Sequence, residues 1–189
     1  LGLVGLVVLL QLKWAAATIA LISLGPVALY PFMKRITWWP QAWLGLVFSW
    51  GALVGWPAAT GSFAWPAFLL WLGSIAWVVG YDTLYAIQDK EDDALVGVKS
   101  SARRLGHSAP LGIGIFYVIA LLLWGAAIWS VRPDWLALLT LAPAALHLAN
   151  QALRADPDDG EVALSLFRSN RTTGLLIFLA MLVVGLAPR

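Results

Sequence analysis

The chain has 189 residues, of which 61% are hydrophobic and only 12% are charged, and its formal net charge is +2. Soluble domains carry roughly 25% charged residues, so this composition excludes a water-soluble globular fold and predicts a protein whose solvent is the lipid bilayer. The absence of cysteine excludes disulfides and thiolate metal sites, and the absence of a long basic run argues against nucleic-acid binding.

Apolar stretches separated by polar breaks predict transmembrane helices, which take about 20 residues each. The opening stretch, 1–12, is too short for a complete span and has no starting Met or basic leader, so we interpret it as the second half of a helix. No polar gap is long enough to hold a second core, so residues 1–189 are expected to form one all-α domain, a polytopic transmembrane helix bundle. Six complete spans are expected at Trp14–Tyr30, Gln41–Ala59, Trp65–Tyr85, Pro110–Ser130, Trp135–Leu153 and Thr172–Leu186.

Basic residues are distributed unevenly between the two ends of the predicted spans. If the spans alternate in direction, nine of the 12 Lys and Arg residues lie on one side of the membrane. The positive-inside rule then places the three longer polar loops in the cytoplasm. We expect the membrane to be a cell inner membrane. The nine are Lys34, Arg35, Lys90, Lys99, Arg103, Arg104, Arg154, Arg168 and Arg171.

Acidic residues recur at helical spacing in the segment Tyr81–Ser100, YDTLYAIQDKEDDALVGVKS. Asp82, Tyr85, Asp89 and either Asp92 or Asp93 follow each other at intervals of three or four residues, so on a continuing helix they fall along one face. Asp89 and Asp93 are one turn apart, so both carboxylates can reach a common ion. Mg²⁺ typically binds one or two carboxylates plus substrate phosphates, so this spacing suits a Mg²⁺-diphosphate site. A solvated loop is the alternative interpretation of the charges alone.

Asp82 lies closest to the apolar span. An acidic residue at membrane depth costs about 2.5–3.5 kcal/mol on insertion scales and usually faces a cavity or a partner. The segment Tyr30–Gln41, YPFMKRITWWPQ, places Lys34 and Arg35 in a loop on the same side of the membrane. Topology alone explains two basic residues there. Beside an acidic metal site they also suit an anion, because Arg offers a rigid fork matched to phosphate or carboxylate oxygens.

Two further segments are weaker candidates for a function. His147 lies within a predicted span and is expected to pack between helices. The segment Phe167–Gly174, FRSNRTTG, places Arg168 and Arg171 just before the last predicted span. Topology and helix capping explain most of it, with Asn170 as the expected N-cap.

Together these residues resemble the UbiA superfamily of intramembrane aromatic prenyltransferases, in particular its 4-hydroxybenzoate branch. The resemblance rests on YPFMKRITWWPQ, on YDTLYAIQDKEDD with GVKS following, and on FRSN, in order along the whole chain. It implies a bundle of nine helices around a cavity capped by two Asp-rich motifs, with about five and a half to six of those helices present here. Asp89 and Asp93 match the second motif, DxxxD. The first, NDxxDxxxD, has no match and would lie before Leu1, in helices needed to complete the site.

The resemblance implies transfer of a polyprenyl group from polyprenyl diphosphate to the ring of 4-hydroxybenzoate, a step of ubiquinone biosynthesis. It implies Mg²⁺ as the cofactor, held by Asp89 and Asp93. The diphosphate or the carboxylate of the acceptor would be bound by Lys34, Arg35 and Lys99, and the catalytic residues would be Asp82, Tyr85 and Arg35. Without the first motif, the isolated chain is expected to be inactive.

A membrane transporter or ion-coupled channel is the alternative from a different functional class. It would share the apolar spans and could use Asp82 as an ion site. Transporters usually carry charges or broken helices near mid-membrane, whereas these acidic residues cluster at one end of a span. A non-catalytic scaffold would leave the DxxxD spacing unexplained.

Overall fold

The computed structural model describes residues 2–186, which contain α-helices and turns and no strand. A single 3₁₀ turn in that range, Gly106–Ser108, joins two of the helices. The α-helices of these residues are α1 Gly2–Gln11, α2 Trp14–Ile22, α3 Leu24–Ile36, α4 Pro40–Phe48, α5 Gly51–Thr60, α6 Trp65–Gln88, α7 Lys90–Val96, α8 Ser101–Leu105, α9 Ala109–Val131, α10 Trp135–Leu139, α11 Ala142–Arg154 and α12 Gly160–Leu186.

Six helical units within residues 2–186 are long and apolar enough to cross a membrane, which confirms the all-α fold and the predicted number of spans. Several of these units combine neighbouring helices that are separated only by a short break. α1, with 10 residues, is shorter than the about 20 residues that a bilayer takes. The six units are Trp14–Ile36, Pro40–Thr60, Trp65–Gln88, Ser101–Val131, Trp135–Arg154 and Gly160–Leu186.

The predicted end of the first complete span is wrong. α3 continues through Pro31 to Ile36, so Lys34 and Arg35 occupy the last turn of a helix and not a loop. A membrane helix tolerates an internal proline when neighbouring groups satisfy the freed backbone carbonyl. Basic side chains in the last turn also complement the negative end of the helix dipole.

The predicted start of the last span, Thr172, is also wrong. α12 begins at Gly160 and runs for 27 residues. The Asp159 Oδ1 atom accepts a hydrogen bond from Val162 N at 2.9 Å and so caps the start of this helix. Asn170 is therefore not an N-cap, because it is buried in the interior of α12.

The acidic segment is not one continuous helix. α6 ends at Gln88 and α7 begins at Lys90, with Asp89 at the junction between them. Asp93 N still donates to the Asp89 carbonyl at 2.8 Å. The one-turn spacing of the two aspartates therefore survives the break.

α6 lies at the centre of the bundle and packs against α4, α9 and α12. Two glycines of α6 lie directly against aromatic rings of α9. A Cβ atom added at Gly80 would lie 2.5 Å from Tyr117 Cε1, and one added at Gly73 would lie 2.7 Å from Trp124 Cδ1. Small residues allow two membrane helices to approach closely, so these glycines make room for the aromatic rings of α9.

We expect Gly80→Ala to lower the free energy of unfolding by about 1–3 kcal/mol, the usual cost of overpacking a filled core. The Tyr117 ring cannot swing aside freely, because its hydroxyl donates to Gln151 Oε1 at 2.6 Å. Thermal unfolding of the purified protein in detergent measures the difference. Gly114→Ala is the matched control, since its Cβ would meet Ala152 Cβ at an ordinary 3.7 Å. Equal destabilisation by both variants would contradict the packing argument.

Candidate active site

The first element of the site is Asp82, in the last two turns of α6. Its carboxylate is half-buried and interacts electrostatically with the side chains of Lys34 and Asp89. The rings of Tyr30 and Tyr81 lie within the field of the same carboxylate. Across residues 2–186, no side chain forms an ion pair or a hydrogen bond with it. α3, α6 and the start of α7 thus bring a free carboxylate close to a basic side chain and a second acid.

Asp89 and Asp93 form the second element, at the start of α7. Both side chains are half-buried, whereas Glu91 and Asp92 between them are exposed. Neither the Asp89 nor the Asp93 carboxylate pairs with another side chain in the described part of the chain. That part also holds no group of three or more His, Cys, Asp or Glu residues suited to a metal ion. Two unpartnered carboxylates fit Mg²⁺, which takes one or two protein carboxylates and completes its shell with water and phosphate.

Lys34 and Arg35 are exposed in the last turn of α3. Lys34 is the basic residue that interacts with Asp82. Arg35 makes no ion pair or hydrogen bond with the described residues. Both cations therefore remain available to an anion at this end of the bundle.

Lys99 fastens the loop after α7 to the end of α3. Its backbone N–H donates to the Lys34 carbonyl at 3.2 Å, and its Nζ donates to the Ile36 carbonyl at 3.2 Å. Arg103 holds the same loop by donating to the carbonyls of Asp93, at 3.1 Å, and of Val98. These contacts hold α7, with Asp89 and Asp93 at its start, beside the last turn of α3, which carries Lys34 and Arg35.

Trp38 completes this junction. Lys99 Nζ lies 5.8 Å from its ring centroid, and the Arg103 guanidinium carbon lies 5.6 Å from it. Such cation–π contacts add to the hydrogen bonds of the two basic side chains. The sequence pattern predicts only a membrane side for Arg103, and it predicts no role for Trp38. The only feature of the sequence that could have drawn attention to Trp38 is the pair of adjacent tryptophans in the segment Tyr30–Gln41.

A buried polar junction holds the start of α8 against the bundle. Ser101 N donates to Gln41 Oε1 at 3.2 Å, and the Ser101 and Thr83 hydroxyls are hydrogen-bonded at 2.6 Å. All three side chains are buried. α4, α6 and α8 are thereby joined, and α6 and α8 both contact α7.

An aromatic wall runs along α6 toward Asp82. The Trp77 ring lies 5.2 Å from the Tyr81 ring, and the Phe167 ring of α12 lies 5.8 Å from Tyr81 and 5.0 Å from Tyr85. Centroid distances of 4.5–7 Å are those of favourable aromatic pairs. Tyr85 is therefore part of this wall, with 37% of its surface exposed.

Buried polar side chains hold the wall in place. Trp77 Nε1 donates to Asn170 Oδ1 at 2.8 Å, and Asn170 Nδ2 donates to Gln151 Oε1 at 3.1 Å. Gln151 also accepts from the Tyr117 hydroxyl at 2.6 Å and donates to Ser169 Oγ at 2.8 Å. We call these five side chains the polar network. It connects α6, α9, α11 and α12.

His147 lies 3.2 Å, at its Nε2 atom, from the Ser169 carbonyl. It therefore joins α11 to α12, and this contact confirms the expected role in helix packing.

Comparison with known proteins places these features in a family. The chain matches the UbiA prenyltransferase family over residues 1–182. Curated relatives named "4-hydroxybenzoate polyprenyltransferase, mitochondrial" include the protein of Aedes aegypti, 40% identical over 95% of this chain and 41% of the relative. The proteins of Rattus norvegicus and Arabidopsis thaliana are each 42% identical, over 95% and 93% of this chain and 48% and 44% of the relative.

The chain spans about half the length of the curated relatives that it matches. No solved structure matches it significantly.

Proposed function

Because the chain belongs to the UbiA prenyltransferase family, we propose that this protein transfers a polyprenyl group from polyprenyl diphosphate to the ring of 4-hydroxybenzoate, as in ubiquinone biosynthesis. The names of its relatives support this acceptor. The observation that carries the proposal is that the start of α7, with Asp89 and Asp93, is held beside the basic last turn of α3. An anionic donor and a metal ion would need that combination of charges.

Asp89 and Asp93 would hold Mg²⁺ through their carboxylates, which pair with no side chain in the described range 2–186. When bound, the ion supplies positive charge that stabilises the departing diphosphate. Lys34 and Arg35 would bind the diphosphate, or the carboxylate of the acceptor, from the end of α3. Lys99 would assist them, because an ammonium group has three N–H donors and the Ile36 carbonyl takes one of them.

In the transfer step, the C–O bond between the prenyl group and the diphosphate breaks, and the allylic carbon becomes cationic. The ring carbon ortho to the phenol oxygen forms the new C–C bond and then loses its proton. We assign Asp82 to receive that proton, since its carboxylate is half-buried and forms no ion pair or hydrogen bond with any of residues 2–186. Tyr85 would stabilise the allylic cation through its ring face, and Arg35 would hold the leaving diphosphate. The apolar bundle would limit access of water to the cation.

Asp82→Asn is expected to lower the turnover number by about 100-fold or more, the usual contribution of a general base. The assay measures labelled prenyl transfer to 4-hydroxybenzoate in membranes that contain the protein expressed from its complete gene. Asp92→Asn is the matched control, because it makes the same change of side chain at an exposed aspartate of the neighbouring helix α7. Normal turnover by Asp82→Asn would remove Asp82 from the mechanism. No Mg²⁺-dependent transfer by the wild-type protein would refute the proposed function and revive the transporter alternative.

We also propose that the protein resides in a cell inner membrane with its Asp-rich loops on the cytoplasmic side. The uneven distribution of basic residues supports this orientation. The names of the curated relatives make the mitochondrion the second candidate location. Cysteine labelling at Leu95, which is 86% exposed after the acidic helix start, would report the side of the membrane on which this loop lies.

A further inference from the structure

The last membrane helix carries two arginines whose positions require an explanation. Arg168 and Arg171 lie well inside α12, eight and eleven residues after Gly160, which is about 12 and 16 Å along the helix axis. Both are exposed, and neither makes an ion pair or hydrogen bond with any of residues 2–186. Charged residues at membrane depth are costly, and they usually face a cavity and mark a binding site. Like charges three residues apart also repel each other, so an anion between them would be stabilising.

The two arginines line a cavity of about 360 Å³ together with the aromatic wall. The rings of Trp77, Tyr81 and Phe167 form its apolar side. The hydrogen bond from Trp77 to Asn170 fixes the first of these rings. The cavity volume lies within the usual range of small-molecule sites, about 300–1,000 Å³. An apolar slot with two cations at one side suits a flat ring that bears a negative charge.

The cavity lies at the level of the catalytic site proposed above. Phe167 contacts both Tyr81 and Tyr85. On α6, Tyr81 directly precedes Asp82 and Tyr85 lies three residues after it. α6 ends and α12 begins at the same end of the bundle. A Cβ atom added at Gly160 would lie 3.4 Å from the Cα atom of Gln88. Counted from that end, Asp82 and Arg168 are six and eight residues into their helices.

We propose that Arg168 and Arg171 form an anion subsite that binds the carboxylate of the aromatic acceptor while its ring lies against Trp77, Tyr81 and Phe167. This subsite deepens the proposed function and rests on it. Guanidinium groups match a carboxylate with paired N–H donors, and aromatic rings pack favourably in offset or edge contact. A polyprenyl chain does not suit the cavity, because it would leave both charges unpaired beside hydrocarbon. The diphosphate would instead be bound by Lys34, Arg35 and the Mg²⁺ ion that Asp89 and Asp93 would hold.

Removing the cations tests the subsite. In membranes that contain the protein expressed from its complete gene, Arg168→Gln and Arg171→Gln should each raise the KM for 4-hydroxybenzoate about 10- to 100-fold, the effect of losing one charge-assisted hydrogen bond. The KM for polyprenyl diphosphate should not change. Arg154→Gln is the matched control, because Arg154 is exposed at the end of α11 and does not line the cavity.

A neutral acceptor separates charge recognition from damage to the fold. The wild-type protein should prefer 4-hydroxybenzoate to 4-hydroxybenzamide, and the double variant should lose that preference while it still uses the amide. If turnover of the amide is lost as well, Arg171→Lys should restore part of the preference for the acid. An unchanged preference in the double variant, no rescue by lysine, or a raised KM for the diphosphate donor would each overturn the subsite.

Binding distinguishes failure of the subsite from failure of the proposed function. Quenching of tryptophan fluorescence by 4-hydroxybenzoate, with Trp77→Phe to identify the responding ring, requires no turnover. Quenching that is lost in the arginine variants supports the subsite even if the protein transfers no prenyl group. Prenyl transfer without any effect of the arginine variants on KM or quenching refutes the subsite alone.

Discussion

Asp89→Ala and Asp93→Ala should each lower prenyl transfer at least about 100-fold, the scale of losing one group that stabilises developing charge in a transition state. Each substitution removes one of two carboxylates that lie half-buried at the start of α7 and pair with no side chain among residues 2–186. The remaining carboxylate would hold Mg²⁺ less well, so the Mg²⁺ concentration that gives half-maximal activity should also rise. Initial rates over a range of Mg²⁺ and donor concentrations in membranes measure both effects.

Exposed acids of the same helix provide the control for these two variants. Glu91 and Asp92 lie between the proposed ligands and have exposed side chains. Glu91→Ala and Asp92→Ala change the net charge equally and should leave the rate and the Mg²⁺ requirement close to normal. Near-normal turnover by either Asp89→Ala or Asp93→Ala would show that the metal assignment is wrong.

The sequence predicts that acidic and basic residues gather at one end of the bundle better than it predicts the ends of the helices that carry them. Asp89 and Asp93 are recognisable because two carboxylates one turn apart repel each other unless something binds them. Lys34 is recognisable as a cation on the same side of the membrane, although its interaction with Asp82 and its place in the last turn of α3 are not. Side-chain spacing along a helix depends on local geometry alone, which a sequence specifies well.

α12 shows why the remainder could not be predicted. The segment 160–171 contains charged and amide side chains that interrupt the apolar run, and an apolar-run criterion therefore starts the last span too late. The helix nevertheless continues, because Asn170 and Ser169 find partners on α6 and α11. Those partners are distant in sequence, and only the fold brings them together. The same error places Arg168 and Arg171 in a loop and hides their position beside the cavity.

We expect the polar network to be sensitive to substitution, and Gln151 is its centre. Its side chain is completely buried and accepts from both Tyr117 and Asn170. Asn170 Nδ2 has a second acceptor in the Leu166 carbonyl at 3.2 Å. The Tyr117 hydroxyl, on a side chain that is 2% exposed, would lose its acceptor if Gln151 were apolar. A buried hydroxyl without an acceptor costs more than the hydrogen bond contributes when both partners are present.

Gln151→Leu should therefore lower the free energy of unfolding by about 1–3 kcal/mol, most of it from the Tyr117 hydroxyl that is left without an acceptor. Adding Tyr117→Phe removes that hydroxyl, so the double variant should be less destabilised than the sum of the single variants. Thermal unfolding in detergent measures all three proteins, with Asn150→Leu as the control because Asn150 is exposed on the same helix. Strict additivity would mean that the two side chains stabilise the bundle independently. In that case the hydrogen bond from Tyr117 to Gln151, which joins α9 to α11, would not be what holds Gln151, Asn170 and the Trp77 ring in position.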